Sequence, residues 1–152
     1  MKYSKISFLL VFILFCSKVY TQSYFVHKFA SENGLSSNLT KSLVQDDLGF
    51  IWVATDAGIA RFDGKQFINI TKNLPSLFVK DVFITSDKKI IVATDLGVGY
   101  LSLLEGEYEY KSIIMGYHHE TKEFAYYPKA IFEDSNKNIW ISDNTGLIQI
   151  KN

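Results

Sequence analysis

"GFIWVATDAGIARFDGKQF", residues Gly49 to Phe67, places a tryptophan in an apolar run, turns through Thr-Asp-Ala-Gly, and resumes with a second apolar run. The pattern returns twice. "IWVATDAGIARF" begins at Ile51, "IIVATDLGVGYL" at Ile90 and "IWISDNTGLIQI" at Ile139. The turn glycines Gly58, Gly97 and Gly146 stand 39 and then 49 residues apart. The second copy repeats "VATD-x-G", and the third keeps Trp140. Self-similarity at this period marks a repeat architecture, in which each unit is one supersecondary element that cannot bury its apolar faces alone.

The copies share one local grammar. A β-rich run such as Ile51 to Ala54 is followed by Asp56-Ala57-Gly58, Asp95-Leu96-Gly97 or Asn144-Thr145-Gly146. Asp and Asn favour turns by bonding to nearby backbone, and Gly supplies positive φ. A second run such as Ile59 to Phe62 then completes a hairpin. Before each hairpin stands another turn ("QDDLG", "TSDKK", "EDSNKN") and another run: Thr40 to Val44, Val79 to Ile84, Lys129 to Phe132. Gln66 to Ile70 and Tyr108 to Ile114 supply a fourth run in the first two units. Four short strands in roughly 40–50 residues is the signature of a β-propeller blade. The predicted fold is all-β: about three blades of four antiparallel strands, an incomplete propeller, with essentially no helix after the leader. A meandering β-sandwich would suit the turn spacing but not three copies with aligned glycines.

Hydrophobic residues make up 47% of the 152 and aromatics 15%, which excludes a disordered chain. Lys2 and Lys5 precede Ile6 to Cys16, an 11-residue run that is apolar apart from Ser7. A membrane span needs roughly 20 such residues, whereas a secretory signal core needs about 7–15. A signal peptide over 1–21 is expected, cut after Thr21, and the protein is expected to be exported and periplasmic. An uncleaved anchor, or a lipoprotein at Cys16 behind bulky Phe15, fits less well. Without that leader the chain carries 13 Lys and Arg against 16 Asp and Glu, a net charge of −3, and no cysteine. It therefore has no basic patch for nucleic acid, no disulfide framework and no thiolate site. The expected divisions are a lead-in strand and loop over 22–38, with Ser23 to Phe29 as the strand, blade 1 over 39–73, blade 2 over 74–115, and a loop insertion with a partial blade 3 over 116–152. Propellers typically close with about 4–8 blades, so three units, the last of them partial, leave the ring open and a piece of a longer protein is expected.

Each chemical cluster has a plainer explanation. His118 and His119 with Glu120 are tempting as metal ligands, but adjacent residues of a strand point to opposite faces, and a solvated loop is favoured. Asp134-x-Asn136-x-Asn138 imitates the opening of a calcium loop but has Ile139 where the sharp-turn Gly belongs and Thr145 where the closing Glu belongs. Trp52 and Trp140 could stack on sugars, yet both lie inside apolar runs at equivalent repeat positions, which favours packing between blades. Glu105, Glu107 and Glu109 alternate, which suggests three carboxylates on one strand face. A pair of carboxylates could serve glycoside hydrolysis, but a charged outer strand that deters aggregation is favoured. No catalytic, cofactor or metal residue is assigned, and no cofactor is expected. The residues singled out are structural: Trp52, Asp56, Gly58, Asp95, Gly97, Trp140, Asn144 and Gly146.

"FASENGLSSNLTKSLVQDDLGFIWVATDAGIARFDGKQF", from Phe29 onward, resembles the start of the two-component regulator propeller repeat region. That region is the periplasmic sensor of hybrid two-component histidine kinases. Glu32, Gly34, Leu35 and Ser36 match its lead-in. Gln45, Asp46, Gly49, Ile51, Trp52, Thr55, Gly58, Phe62, Asp63 and Gly64 match its repeat. The second unit departs at Lys88 and Ile91, the third at Lys137 and Asp143. The resemblance implies a sensor whose propellers recognise a glycan or other small ligand, with a membrane helix and a kinase elsewhere in the full-length protein. It implies no catalysis by these blades. Partners would be further blades or copies of the chain, and contact with a membrane would come only through the missing C-terminal parts. Two other readings are an exported partial propeller that oligomerises to complete a ring, and part of a propeller enzyme such as a lyase or quinoprotein.

Overall fold

A computed structural model describes residues 23–115 and 125–151. The leader over 1–21 and the His118-His119-Glu120 cluster lie outside them. The described chain is all-β apart from one 3-10 turn at Ser31–Asn33. Eleven strands form three antiparallel meanders. The first sheet orders β1 (Thr40–Gln45), β2 (Ile51–Thr55), β3 (Gly58–Phe62) and β4 (Phe67–Ile70). The second orders β5 (Val79–Ile84), β6 (Ile90–Thr94), β7 (Gly97–Leu104) and β8 (Glu107–Met115). The third holds β9 (Ala130–Glu133), β10 (Ile139–Ser142) and β11 (Leu147–Ile150). These are propeller blades, as the repeat predicts.

Register makes the copies superimposable. Trp52 pairs with Val44 and Arg61, Ile91 with Phe83 and Tyr100, and Trp140 with Phe132 and Gln149. Both complete blades carry the same irregularity in the innermost strand, between Thr40 and Ser42 and between Val79 and Asp81. A strand sandwiched between two apolar layers is buried on both faces, so it reads as a continuous apolar run rather than an alternating one. In β2, Trp52 and Ala54 face the second blade, and Val53 packs with Ile51 under the lead-in.

Burial sits in the seams. Trp52, Ile59 and Ile70 meet Val79, Val82 and Tyr110 between blades 1 and 2. Ile91, Ala93 and Val98 meet Ile131 and Ile141 between blades 2 and 3. A polar stitch crosses each seam beside the apolar one. Ser42 Oγ lies 3.5 Å from the Val82 N–H and 3.4 Å from its carbonyl. Asp81, at the equivalent register, accepts the Ile131 N–H at 2.7 Å. Ala130 holds this register in the third blade and has no group to extend the series.

The lead-in departs from expectation. Ser23 to Phe29 is not a strand, and Tyr24, Phe25 and Val26 are exposed. An isolated extended segment forms a strand only where a sheet edge offers it a ladder, and no described strand pairs with this one. The anchor is instead Phe29, whose ring centroid stands 4.8 Å from that of Phe62 and 5.8 Å from that of Phe67. Leu35 is buried beside Val53 and Ala60. This cap covers the outer face of blade 1.

Gly99 shows how closely the outer strands approach. A Cβ there would sit 2.2 Å from the Lys111 carbonyl and 2.5 Å from the Tyr110 ring, beside the irregular pairing of β7 with β8. Backbone cannot yield as a flexible side chain does. Gly99→Ala is expected to destabilise the protein by about 1–3 kcal/mol, read as a lower urea midpoint at unchanged slope.

Candidate functional site

Polar chemistry gathers where blade 1 meets blade 2, and it starts from one aspartate. Asp46 Oδ1 accepts the backbone N–H groups of Leu48 (3.0 Å) and Phe50 (2.9 Å), and its Oδ2 accepts the indole N–H of Trp52 at 2.8 Å. The third blade repeats this clamp. Asp134 Oδ1 accepts from Asn136 and Asn138, each at 2.9 Å, and Oδ2 from Trp140 at 2.9 Å. The second blade loses both members together: Thr85 stands for the aspartate and Ile91 for the tryptophan. Thr85 Oγ1 still takes the Lys89 N–H at 3.0 Å, so the turn survives without the indole. The turn itself needs a left-handed residue, supplied by Gly49 (φ 87°), Lys88 (φ 70°) and Lys137 (φ 65°). Asp134, Asn136 and Asn138 are therefore a turn. The Asp134 carboxylate is saturated by the chain, and the Asn138 amide, the first cause, together with the Trp140 indole lowers its pKa to about 2.

Trp52 is fully buried, edge-on to Tyr108 with centroids 5.0 Å apart. Trp140 is only half-buried. It lines an apolar hollow of about 350 Å³ with Ile131, Phe132 and Leu147, on the face that in blade 1 is covered by blade 2.

The hairpin turns are capped by a residue other than the one the sequence singles out. Thr55 Oγ1 accepts the Ala57 N–H and donates to the Gly58 carbonyl, and Thr94 does the same with Leu96 and Gly97. Asp143 takes over in blade 3. Burial opposes its charge, but the N–H groups of Tyr126, Thr145 and Gly146 and the Thr145 hydroxyl outweigh that and hold its carboxyl below the usual range. Asp56, Asp95 and Asn144 contribute backbone N–H bonds instead, to the carbonyls of Leu39, Phe78 and Tyr126. Asp95 Oδ1 is buried with no partner among the described residues. Gly58 is required sterically: at φ 104° a Cβ would meet the Ile70 carbonyl at 3.0 Å. Gly97 (φ 146°) and Gly146 (φ 149°) also adopt positive φ.

The three glutamates do not share one solvated face. Glu105 lies in the β7-β8 turn at φ 52°. Glu107 is exposed and paired with Lys72 at 3.1 Å. Glu109 is 5% exposed, bonded to Asn73 and paired with Lys111, which lowers its pKa. The turn takes the first glutamate off the strand, and the 72–73 segment of the neighbouring seam covers the third. Among the described residues no group of three His, Cys, Asp or Glu is placed to hold a metal ion.

One feature went unread in the sequence. Arg61, paired with Trp52 in the sheet, lays its guanidinium 4.4 Å from the Phe50 ring centroid, 5.3 Å from that of Tyr108 and 6.0 Å from that of Trp52. It borders an interblade groove of about 420 Å³ with Ile68, Thr71, Lys72, Glu107 and Tyr108. Its signal was available: a lone arginine facing the tryptophan side of an otherwise apolar hairpin.

The chain is similar in structure to the extracellular domain of the putative hybrid two-component system BT3049 from B. thetaiotaomicron. The TM-score is 0.62 at 22% identity, over 84% of this chain and 17% of that one. It is also similar to virginiamycin B lyase from Staphylococcus aureus, with a TM-score of 0.51 at 14% identity, over 74% of this chain and 41% of that one. At these identities the likeness is one of fold. The chain spans about a sixth of the first structure's length. No family model and no curated protein matches the chain. Among the described residues no helix is long and apolar enough to cross a membrane.

Two measurements test the clamp. Asp46→Ala strands the buried Trp52 N–H and two turn N–H groups, and is expected to cost roughly 1–3 kcal/mol of unfolding free energy. The Asp134 carboxyl is depressed in the folded state, so its contribution is present above its ordinary value of 3.8 and lost as pH falls toward about 2. Stability should therefore decline across that window, and the decline should be shallower in Asp134→Asn.

Proposed function

We propose that these blades belong to the ligand-recognising propeller of an exported sensor in a two-component signalling system, and that they carry no catalysis themselves. The observation that carries this reading is the agreement of a motif likeness with a likeness of fold. The lead-in and first repeat resemble two-component propeller repeats residue by residue. The fold matches the extracellular domain of a putative hybrid two-component system over 84% of the chain. The charged leader followed by an 11-residue apolar run supports export. The remaining partners are further blades: the half-buried Trp140 and exposed Phe132 and Leu147 form the face that a neighbouring blade covers in the first seam.

The carboxylates of the clamps and of the first seam support recognition over catalysis. The Asp46 and Asp134 carboxylates are consumed by the chain's own N–H groups. Glu109 is held charged by Lys111. A general acid needs the opposite, a carboxyl whose pKa is raised toward neutrality.

The test is genetic. In the native host, removing the coding sequence for residues 39–115 should abolish transcriptional induction by one class of carbohydrate while leaving constitutive expression intact. Unchanged induction on every carbohydrate tried, or loss of a hydrolase or lyase activity from the periplasmic fraction, overturns the proposal.

A further inference from the structure

We infer that the interblade groove beside Arg61 binds the carboxylate of a small ligand. The inference deepens the recognition reading above and rests on it only for the role of the site.

Arg61 is the feature that asks for a partner. Its Nε is buried without an acceptor among the described residues. Its only hydrogen bond there is a long one, from Nη1 to the Tyr108 hydroxyl at 3.4 Å. No described carboxylate forms a salt bridge with it. Asp63 lies close enough to feel its charge but gives Oδ1 to the backbone N–H groups of Lys65 and Gln66. Glu107, on the rim, is already paired with Lys72. A buried N–H without an acceptor is costly, and native structures fill such positions with protein, water or ligand.

The surroundings fit a carboxylate with a partly apolar body. Three aromatic rings surround the guanidinium, with centroids 4.4, 5.3 and 6.0 Å from its central carbon, and such crowding reduces the side-chain freedom to be lost when a planar carboxylate docks two-pronged on it. The groove's other walls divide between Ile68, Leu103 and the Tyr108 ring on one hand and Thr71 and Lys72 on the other. Its volume of about 420 Å³ suits a ligand of one or two rings. A uronic sugar and an aromatic acid share this chemistry.

The experiment titrates the purified full chain with galacturonate, galactose, benzoate and benzamide, read by calorimetry and by tryptophan emission, with a Trp140→Phe chain used to isolate the Trp52 signal. Saturable binding of either acid, with its neutral counterpart about tenfold or more weaker, supports the site; which acid binds identifies the body. Arg61→Lys should lose that discrimination. Because Arg61 also packs on Trp52, Glu107→Gln is measured beside it: the exposed glutamate can change without unfolding the blade, and its removal should tighten the acid by a few-fold. No binding of either acid up to about 10 mM, equal binding of an acid and its neutral counterpart, or unchanged affinity in Glu107→Gln overturns the inference. Those failures leave the sensor reading standing, since it falls only with the transcriptional result.

Discussion

A four-stranded blade has two apolar faces and no interior of its own. In this chain that constraint is met by the seam in which Trp52, Ile59 and Ile70 press against Val79, Val82 and Tyr110. The burial of these side chains, with the second seam and the lead-in cluster, stabilises the fold, because apolar area removed from water is the dominant favourable term in folding. Asp46 makes the seam specific. By holding the Trp52 indole N–H it lets a polar atom enter an apolar layer, and by holding the preceding turn it fixes where β2 begins. A salt bridge such as Lys88 with Asp47 crosses the same boundary but is exposed at both ends, where such pairs contribute little.

The other seam features follow from that geometry. Once the blades are stacked, the innermost strands come close enough for Ser42 and Asp81 to reach the next strand's backbone. The aromatic layer around Trp52 then surrounds a lone guanidinium that no described carboxylate pairs with, and seam packing leaves that cation at the edge of a groove. The third blade shows the same plan unfinished: its clamp on Trp140 is formed, yet the tryptophan remains half-exposed because no described strand lies over it.

Much of this was legible in the residues. The strand runs, the hairpins and the blade period came from apolar runs separated by Thr-Asp-x-Gly turns, because local turn chemistry and strand burial are written in short windows. Three local readings needed correction. Ser23 to Phe29 has the composition of a strand but lacks a ladder. Glu105 to Glu109 has the alternation of a strand face, but a turn and a neighbouring loop divide it. The aspartates of the hairpin turns were credited with capping that Thr55 and Thr94 perform. Each error has one cause: composition and spacing record what a segment can do, and contacts with a neighbour decide which of those things it does.

The sequence by itself determined the repeat, the strand count per blade and the residues that must be turns, since these depend on backbone preference and period. The bonds from Trp52 to Asp46 and from Trp140 to Asp134 came only from the structure, although the joint replacement of both members by Thr85 and Ile91 in the second copy is their trace in the sequence. Only the tertiary structure decided that Trp52 is sealed while Trp140 is half-open, that Glu109 is buried while Glu107 is solvated, and that Arg61 faces a groove with an unanswered N–H. Those differences arise between residues with the same local grammar. They depend on what lies across the seam, and the distance across a seam is set by packing rather than by position along the chain.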